Sequence, residues 1–170
     1  MPSTLRLKLR DGDYEPYVEI LVDGVLLRDL LKQAVAPELA RCVEYALPGA
    51  MDHDWDQSVL GGAARTVGLK DAFVLICGCG VSGCGCNTCD TIVTDTTITF
   101  TNFRIRWNDP PLDLAPIVFD RRQYEAEVAD LTTRIATWKP PPPSPPKPHR
   151  VLITPPPPPP ELHPENWPPT

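Results

Sequence analysis

The first twenty-two residues alternate. In "LRLKLR" Leu5, Leu7 and Leu9 face one way and charged residues the other, and "YVEILV" repeats the pattern with Val18, Ile20 and Val22. A period of two is the mark of a half-buried strand, so two strands are expected, with "DGD" turning the chain between them. After Asp23-Gly24 the period lengthens. Leu27, Leu30, Leu31 and Val35 recur at helical spacing, and Pro37 is placed to open a second helix with Leu39, Cys42, Val43 and Ala46 on its apolar face. "DAFVLIC" is apolar on both faces and reads as a central strand running into a turn. "DTIVT" and "TITFT" are Thr/Ile-rich strands hinged at Thr94-Asp95-Thr96, and the step from Phe100 to Phe103 breaks the alternation, which predicts a bulge near Thr101-Asn102. Phe103, Ile105 and Trp107 continue the stripe until Asp109-Pro110-Pro111, where the run of strands is expected to close. The last periodic segment starts at Asp120, an N-cap with Gln123 three residues on, and carries Tyr124, Val128, Leu131 and Ile135 down one face. These elements predict an α+β domain built on a mainly antiparallel sheet with two or three packed helices.

Composition divides the chain. Of its 23 prolines, most follow Lys139, so residues 1–138 are expected to fold as one globular domain and residues 139–170 to form a disordered or extended proline-rich tail. Beyond Lys139 two acids and two bases cancel, leaving the formal net charge of −6 on residues 1–139. An acidic body supplies neither phosphate contacts nor counterion release, which argues against nucleic acid and anionic membranes as partners. No apolar run is long enough to span a bilayer and Met1-Pro-Ser-Thr does not resemble a signal peptide, so a cytoplasmic location is expected.

The candidate chemistry is concentrated in "CGCGVSGCGCNTC". Cys77, Cys79, Cys84, Cys86 and Cys89 fall within thirteen residues, and in a reducing compartment such a cluster reads as metal-binding or redox-active before it reads as a disulfide framework. Cys77 and Cys79 are two apart with only Gly78 between them, and Gly80 and Gly83 permit a reversal that returns Cys84 towards them. Three sulfurs thus converge, with Cys86 or Cys89 as the fourth, which meets the need of tetrahedral zinc. Cys42 lies on its own helix's apolar stripe and reads as a core residue. No histidine adjoins the cluster as a base, and no nucleophile-elbow or phosphate-loop pattern occurs, so a non-enzymatic role is expected. Asp52, Asp54 and Asp56 imitate the start of a calcium loop without its glycine or closing glutamate, and read as a solvated loop.

Three resemblances accompany these residues. Over Cys77 to Cys84 the C-x-C-x4-C spacing is similar to the zinc module that follows the catalytic domain of SET-type lysine methyltransferases, which implies three thiolate ligands and a fourth cysteine further off. "CGCGVS" also resembles the terminal motif of A-type iron–sulfur carriers, which implies an iron–sulfur cluster as the alternative, with Cys42 as the upstream cysteine. Across residues 16–131, "VEILVDG", "VLICGCGVSGC", "TNFRIRW" and "PIVFDRRQYEAEVADL" resemble a family of uncharacterised small bacterial proteins with a C-x-C-G-x-x-G-C turn and a closing helix; Phe119, Asp120, Arg121 and Tyr124 carry the helix match, and Thr101, Asn102 and Phe103 a looser strand match.

The tail suggests a partner. "PPPPSPPKPHR" and "PPPPPP" favour polyproline II, and Pro145-x-x-Pro148-x-Arg150 has the spacing that docks on aromatic grooves, with Trp167 as a hydrophobic anchor. The expectation is a protein-interaction module with a structural zinc and a polyproline arm that contacts another protein. The alternatives are an iron–sulfur or redox protein, and a small inhibitor or immunity-type protein using its acidic surface.

Overall fold

The computed structural model describes residues 1–12, 16–44, 47–48, 55–76 and 86–140. Two antiparallel sheets and a small set of helices make the α+β fold that the pattern predicts. Expectations for Cys77, Cys79, Cys84, the turn at Asp13, Ala46, the aspartates at 52 and 54, and the tail beyond Pro140 lie outside the described residues.

In the first sheet, strands β1 (Leu5–Arg10) and β2 (Tyr17–Val22) pair with Leu5 opposite Val22 and Arg10 opposite Tyr17. The register puts Leu5, Leu7, Val18, Ile20 and Val22 on the buried face, while Arg10 reaches Glu19 at 2.8 Å on the other. Asp23 and Gly24 both have positive φ, 51° and 85°, and make a two-residue hairpin turn to strand β3 (Val25–Leu26). Positive φ at both central residues matches the strand twist, and Asp-Gly accepts it at little cost. Strand β4 (Leu47–Pro48) pairs on the other end of β2.

Helix α1 (Leu27–Gln33) buries Leu27 and Leu31. The helix expected from Pro37 is a short 3₁₀ segment, Pro37–Cys42, with no buried residue; Leu39 is 45% exposed and the anchor passes to Val43 beyond it. Proline at the first turn starts a helix readily, but Val43 is already extended and the apolar face never acquires a second turn.

The second sheet runs in the order β5 (Ala72–Ile76), β6 (Cys86–Val93), β7 (Thr97–Arg104), β8 (Ile117–Asp120). Its hairpin falls at Thr94-Asp95-Thr96, and the bulge falls at Asn102, whose φ is 53°. Three expectations need correction. β5 is terminal in its ladder rather than central; residues 57–59 run along its other edge, with Phe73 N–H donating to Gln57 O and Val59 N–H to Phe73 O, each at 2.9 Å, and all five of its residues are buried. The sheet does not close at Pro111, because the chain returns as β8 beside β7. The cysteine-rich stretch is not loop throughout, because Cys86 and Cys89 already belong to β6.

Helix α2 (Gly62–Thr66) is short; α3 (Arg121–Thr137) is the main covering helix, capped by the Asp120 carboxylate accepting from Gln123 N–H at 2.9 Å. Tyr124, Val128 and Leu131 of α3 are buried, and the Tyr124 ring sits edge-on to Phe100 at 5.9 Å while its hydroxyl donates to Val59 O at 2.8 Å. Ser3 N–H donates to Val118 O at 2.6 Å, stitching the start of the first sheet to β8 of the second. The two sheets therefore share one hydrophobic core. Among the described residues no helix is long and apolar enough to cross a membrane.

Candidate functional site

The site is built on the head of the β5–β6 ladder. The last pair is Ile76 opposite Cys86, so the two ends of the nine-residue connection that carries Cys77, Cys79 and Cys84 are held side by side. Both irregularities of the flanking ladders insert their extra residue into β5 or β7, and β6 itself alternates without interruption. Along an uninterrupted strand side chains three apart point to opposite faces and those two apart to the same face. Cys86, Thr88 and Asp90 thus share one face, and Asn87, Cys89 and Thr91 the other.

That alternation separates the two described members of the cluster. Cys89 is 0% exposed among core residues that include Tyr124, and burial, reinforced by the neighbouring Asp90 charge and opposed by Arg104, pushes its thiol well above the ordinary cysteine range. Cys86 is 8% exposed at the mouth of the connection.

Asn87 fastens the mouth. Fully buried, it accepts from Glu44 N–H at 2.8 Å and donates to Ile105 O at 2.9 Å and Cys42 O at 3.3 Å. One side chain thereby ties the segment after the 3₁₀ turn and the end of β7 to the start of β6. Cys42, read from its spacing as a core residue, is only partly buried, and its carbonyl is one of those that Asn87 holds. The Glu44 carboxyl, partly desolvated there, is raised above its ordinary value.

A polar network continues along β6. Arg104 donates to Asp90 at 2.9 and 3.4 Å and lies 2.9 Å from Asp71 as an ion pair, while Asn102 Nδ2 and Asp71 N–H also donate to Asp90 at 2.8 and 3.0 Å. Burial alone would raise the Asp90 carboxyl, but the hydrogen bonds from Arg104, Asn102 and Asp71 override it and hold the group below its ordinary value. Asp71 and Asn102, with φ of 55° and 53°, take left-handed conformations on either side of this carboxylate. Thr88, beside Arg104 in the ladder, is 0% exposed, and among the described residues its hydroxyl has no hydrogen-bond partner.

Sequence reasoning did not single out Asn87, Thr88, Asp90 or Arg104. The only signal for them was their place between and after the cysteines in a β-prone stretch, which the cysteine spacing overshadowed. Among the described residues no group of three or more His, Cys, Asp and Glu side chains is placed to hold a metal. Any metal at the ladder head would draw most of its ligands from residues 77–85. Pro145, Pro148, Arg150 and Trp167, the candidate partner contacts, lie outside the described residues. No protein-family model, no curated protein and no solved structure matches this chain.

Proposed function

We propose that this chain is a non-catalytic protein-interaction module in which a structural zinc ties the connection between β5 and β6, and that its proline-rich tail engages a partner protein. The observation that carries the zinc reading is the closing pair of the ladder, Ile76 opposite Cys86, which brings the first and last residues of a cysteine-bearing segment to one place before any metal arrives. Cys77, Cys79 and Cys84 follow within nine residues of sequence, and Cys86 begins β6, so a tetrahedral ion bound there would take up to three thiols from the connection and one from β6. Cys89 is left out of the ligand set, because its side chain is fully enclosed in the core on the face of β6 opposite Cys86.

Bound zinc would supply a crosslink and no open coordination position. The chain's own residues do the positioning: β5 and β6 fix the ends of the connection, and Asn87 keeps the neighbouring segments from drifting across them. For the tail, what supports the reading is its composition, with proline runs that already favour the extended form in which such segments dock and so lose little entropy on binding.

Metal analysis of the protein purified under reducing conditions, combined with an absorption spectrum, tests the metal. One zinc per chain and a colourless protein are expected. Stoichiometric iron with visible absorption would transfer the site to an iron–sulfur cluster. A metal-free protein whose melting temperature ignores a strong chelator would overturn both readings.

A further inference from the structure

We propose that the outer face of the second sheet is a self-association surface, on which a second copy of this chain docks to form a weak two-fold dimer. The inference stands apart from the zinc and from the tail.

Its ground is the way β6, β7 and β8 divide their side chains. Phe100 and Phe119 turn into the core against Tyr124 of α3, so the residues that alternate with them look away from it. The register sets Ile92 opposite Thr99 and Thr99 opposite Val118, which makes a row of β-branched side chains across three strands, with Thr97 and Thr101 on either side of it in β7. Ile92 is 54% exposed, and the three threonines and Val118 are half-buried.

Val67 lengthens the row. It is 81% exposed and stands beside Ile92 because Gly68 runs against the edge of β6: its φ is 83°, and a Cβ there would lie 2.6 Å from Thr91 O and 3.8 Å from Ile92 Cα. Leu69 fastens this approach, its N–H donating to Thr91 Oγ1 at 2.7 Å and its carbonyl accepting from Thr91 N–H at 2.8 Å. Two strongly exposed aliphatic side chains are thus held next to each other on fixed backbone, and such a surface loses little entropy on docking.

Charge selects the occupant. A formal net charge of −6 pushes two copies apart over most of their surface. On this face the carboxylates that border the row are already engaged, Asp90 with Arg104 and Asp120 as the cap of α3, and the row itself carries no charge. A basic partner finds nothing here to pair with, whereas a second acidic copy meets no repulsion at the contact. Branched side chains on two such faces interdigitate with the sheets about 10 Å apart, and a two-fold relation lets one row serve both copies. Three strands at about 4.8 Å spacing give a small footprint, so the pair falls below the roughly 1,200 Å² of standard interfaces and forms only at high concentration.

Sedimentation velocity of the full, reduced chain between about 10 μM and about 1 mM tests this. A monomer–dimer equilibrium is expected in that range, and it is expected to tighten as salt rises from about 0.05 M to about 0.5 M, because screening removes the repulsion between acidic copies while the contact has no ion pair to lose. Ile92→Glu puts two like charges into the contact and is expected to weaken it about 100-fold; Val67→Glu repeats the test outside any strand, and Leu39→Glu, the same change on the exposed 3₁₀ segment, is expected to leave the dimer as it is. A chain that stays monomeric throughout overturns the inference, as does a dimer that weakens with salt or survives both Ile92→Glu and Val67→Glu. Equal loss in Leu39→Glu would assign the effect to net charge and overturn it too. If the native chain is monomeric and Ile92→Glu instead moves the Trp167 indole signal in an NMR spectrum, the occupant is the chain's own tail and the second copy is ruled out.

Discussion

A buried side chain is judged by what happens to its polar atoms, and on this standard Asn87 is the residue on which the ladder head depends. It satisfies Glu44 N–H, Ile105 O and Cys42 O from inside the core. Asn87→Ala strands all three groups and opens a small cavity. A loss of about 2–4 kcal/mol is expected from urea denaturation of the reduced protein, and a loss under about 1 kcal/mol would mean that the segment after Cys42 relaxes away at little cost. The cysteines give the complementary test. Cys89→Ala is expected to leave metal stoichiometry unchanged while lowering stability by about 1 kcal/mol through lost packing, whereas Cys86→Ala is expected to reduce metal retention with a smaller effect on the metal-free chain. Cysteine spacing alone left Cys86 and Cys89 interchangeable; only the uninterrupted alternation of β6 distinguishes a residue at the mouth from one in the core.

At the scale of elements, the least obvious device is how α3 treats the free edge of β1. β2 occupies one side of β1, and on the other side the Gln123 amide accepts from Leu5 N–H at 3.2 Å and donates to Leu5 O at 2.7 Å. Glu127 accepts from Leu7 N–H at 2.8 Å and Arg134 donates to Leu7 O at 2.9 Å, so a helix face takes the place of a neighbouring strand. An exposed edge invites pairing with another chain, and covering it removes that hazard. The sequence shows Gln123 as the third residue of a capping box, yet its side chain is spent on β1, a contact over 118 positions that no local pattern encodes. Asp120→Ala is expected to cost about 1 kcal/mol as a lost cap. Gln123→Ala is expected to cost more, about 1–3 kcal/mol, with a rise in self-association by light scattering, because it unsatisfies two backbone groups at once. Equal and small effects would show that water replaces the amide.

The β6–β7 bulge carries a pH dependence. Asp90 is held below its ordinary carboxyl value by Arg104, Asn102 and Asp71 N–H, so the folded state binds this proton less readily than the unfolded chain. The stabilisation is complete above the unfolded value of about 4, and is lost as pH falls towards and through the lower folded one. Asp90→Asn should therefore flatten the acid limb of stability below about pH 4 and lower stability at neutral pH, where it leaves Arg104 with Asp71 alone. An acid limb identical in both proteins would assign that dependence to other carboxyls. The break in period at Phe100 to Phe103 made this bulge legible in advance, because a core strand cannot change face without an extra residue. By contrast β8 was hidden: four residues, Ile117–Asp120, are too few to show alternation and run directly into the helix cap.

For the whole molecule, the junction between domain and tail is the decisive boundary. Helix α3 ends at Thr137, and Trp138 turns back so that its indole N–H meets the Asp11 carboxylate at 2.9 Å, at the far end of β1. Among the described residues, every buried apolar side chain of the core precedes this point. Local composition predicts a boundary here, because proline cannot continue a helix and an acid-, base- and apolar-poor run cannot build a core. A chain ending at Trp138 therefore retains the last tertiary tie and is expected to stay soluble, to melt cooperatively, and to keep the melting temperature of the full chain within about 2 °C, since loss of 1 kcal/mol would move a domain of this size by only a few degrees. Ending the chain at Ala136 instead removes the indole bond and the last helical residue, and should lower the midpoint measurably. If the chain ending at Trp138 aggregates, or melts far below the full chain, then "VLIT" or Trp167 packs on the domain and the tail is a structural element rather than an arm for a partner.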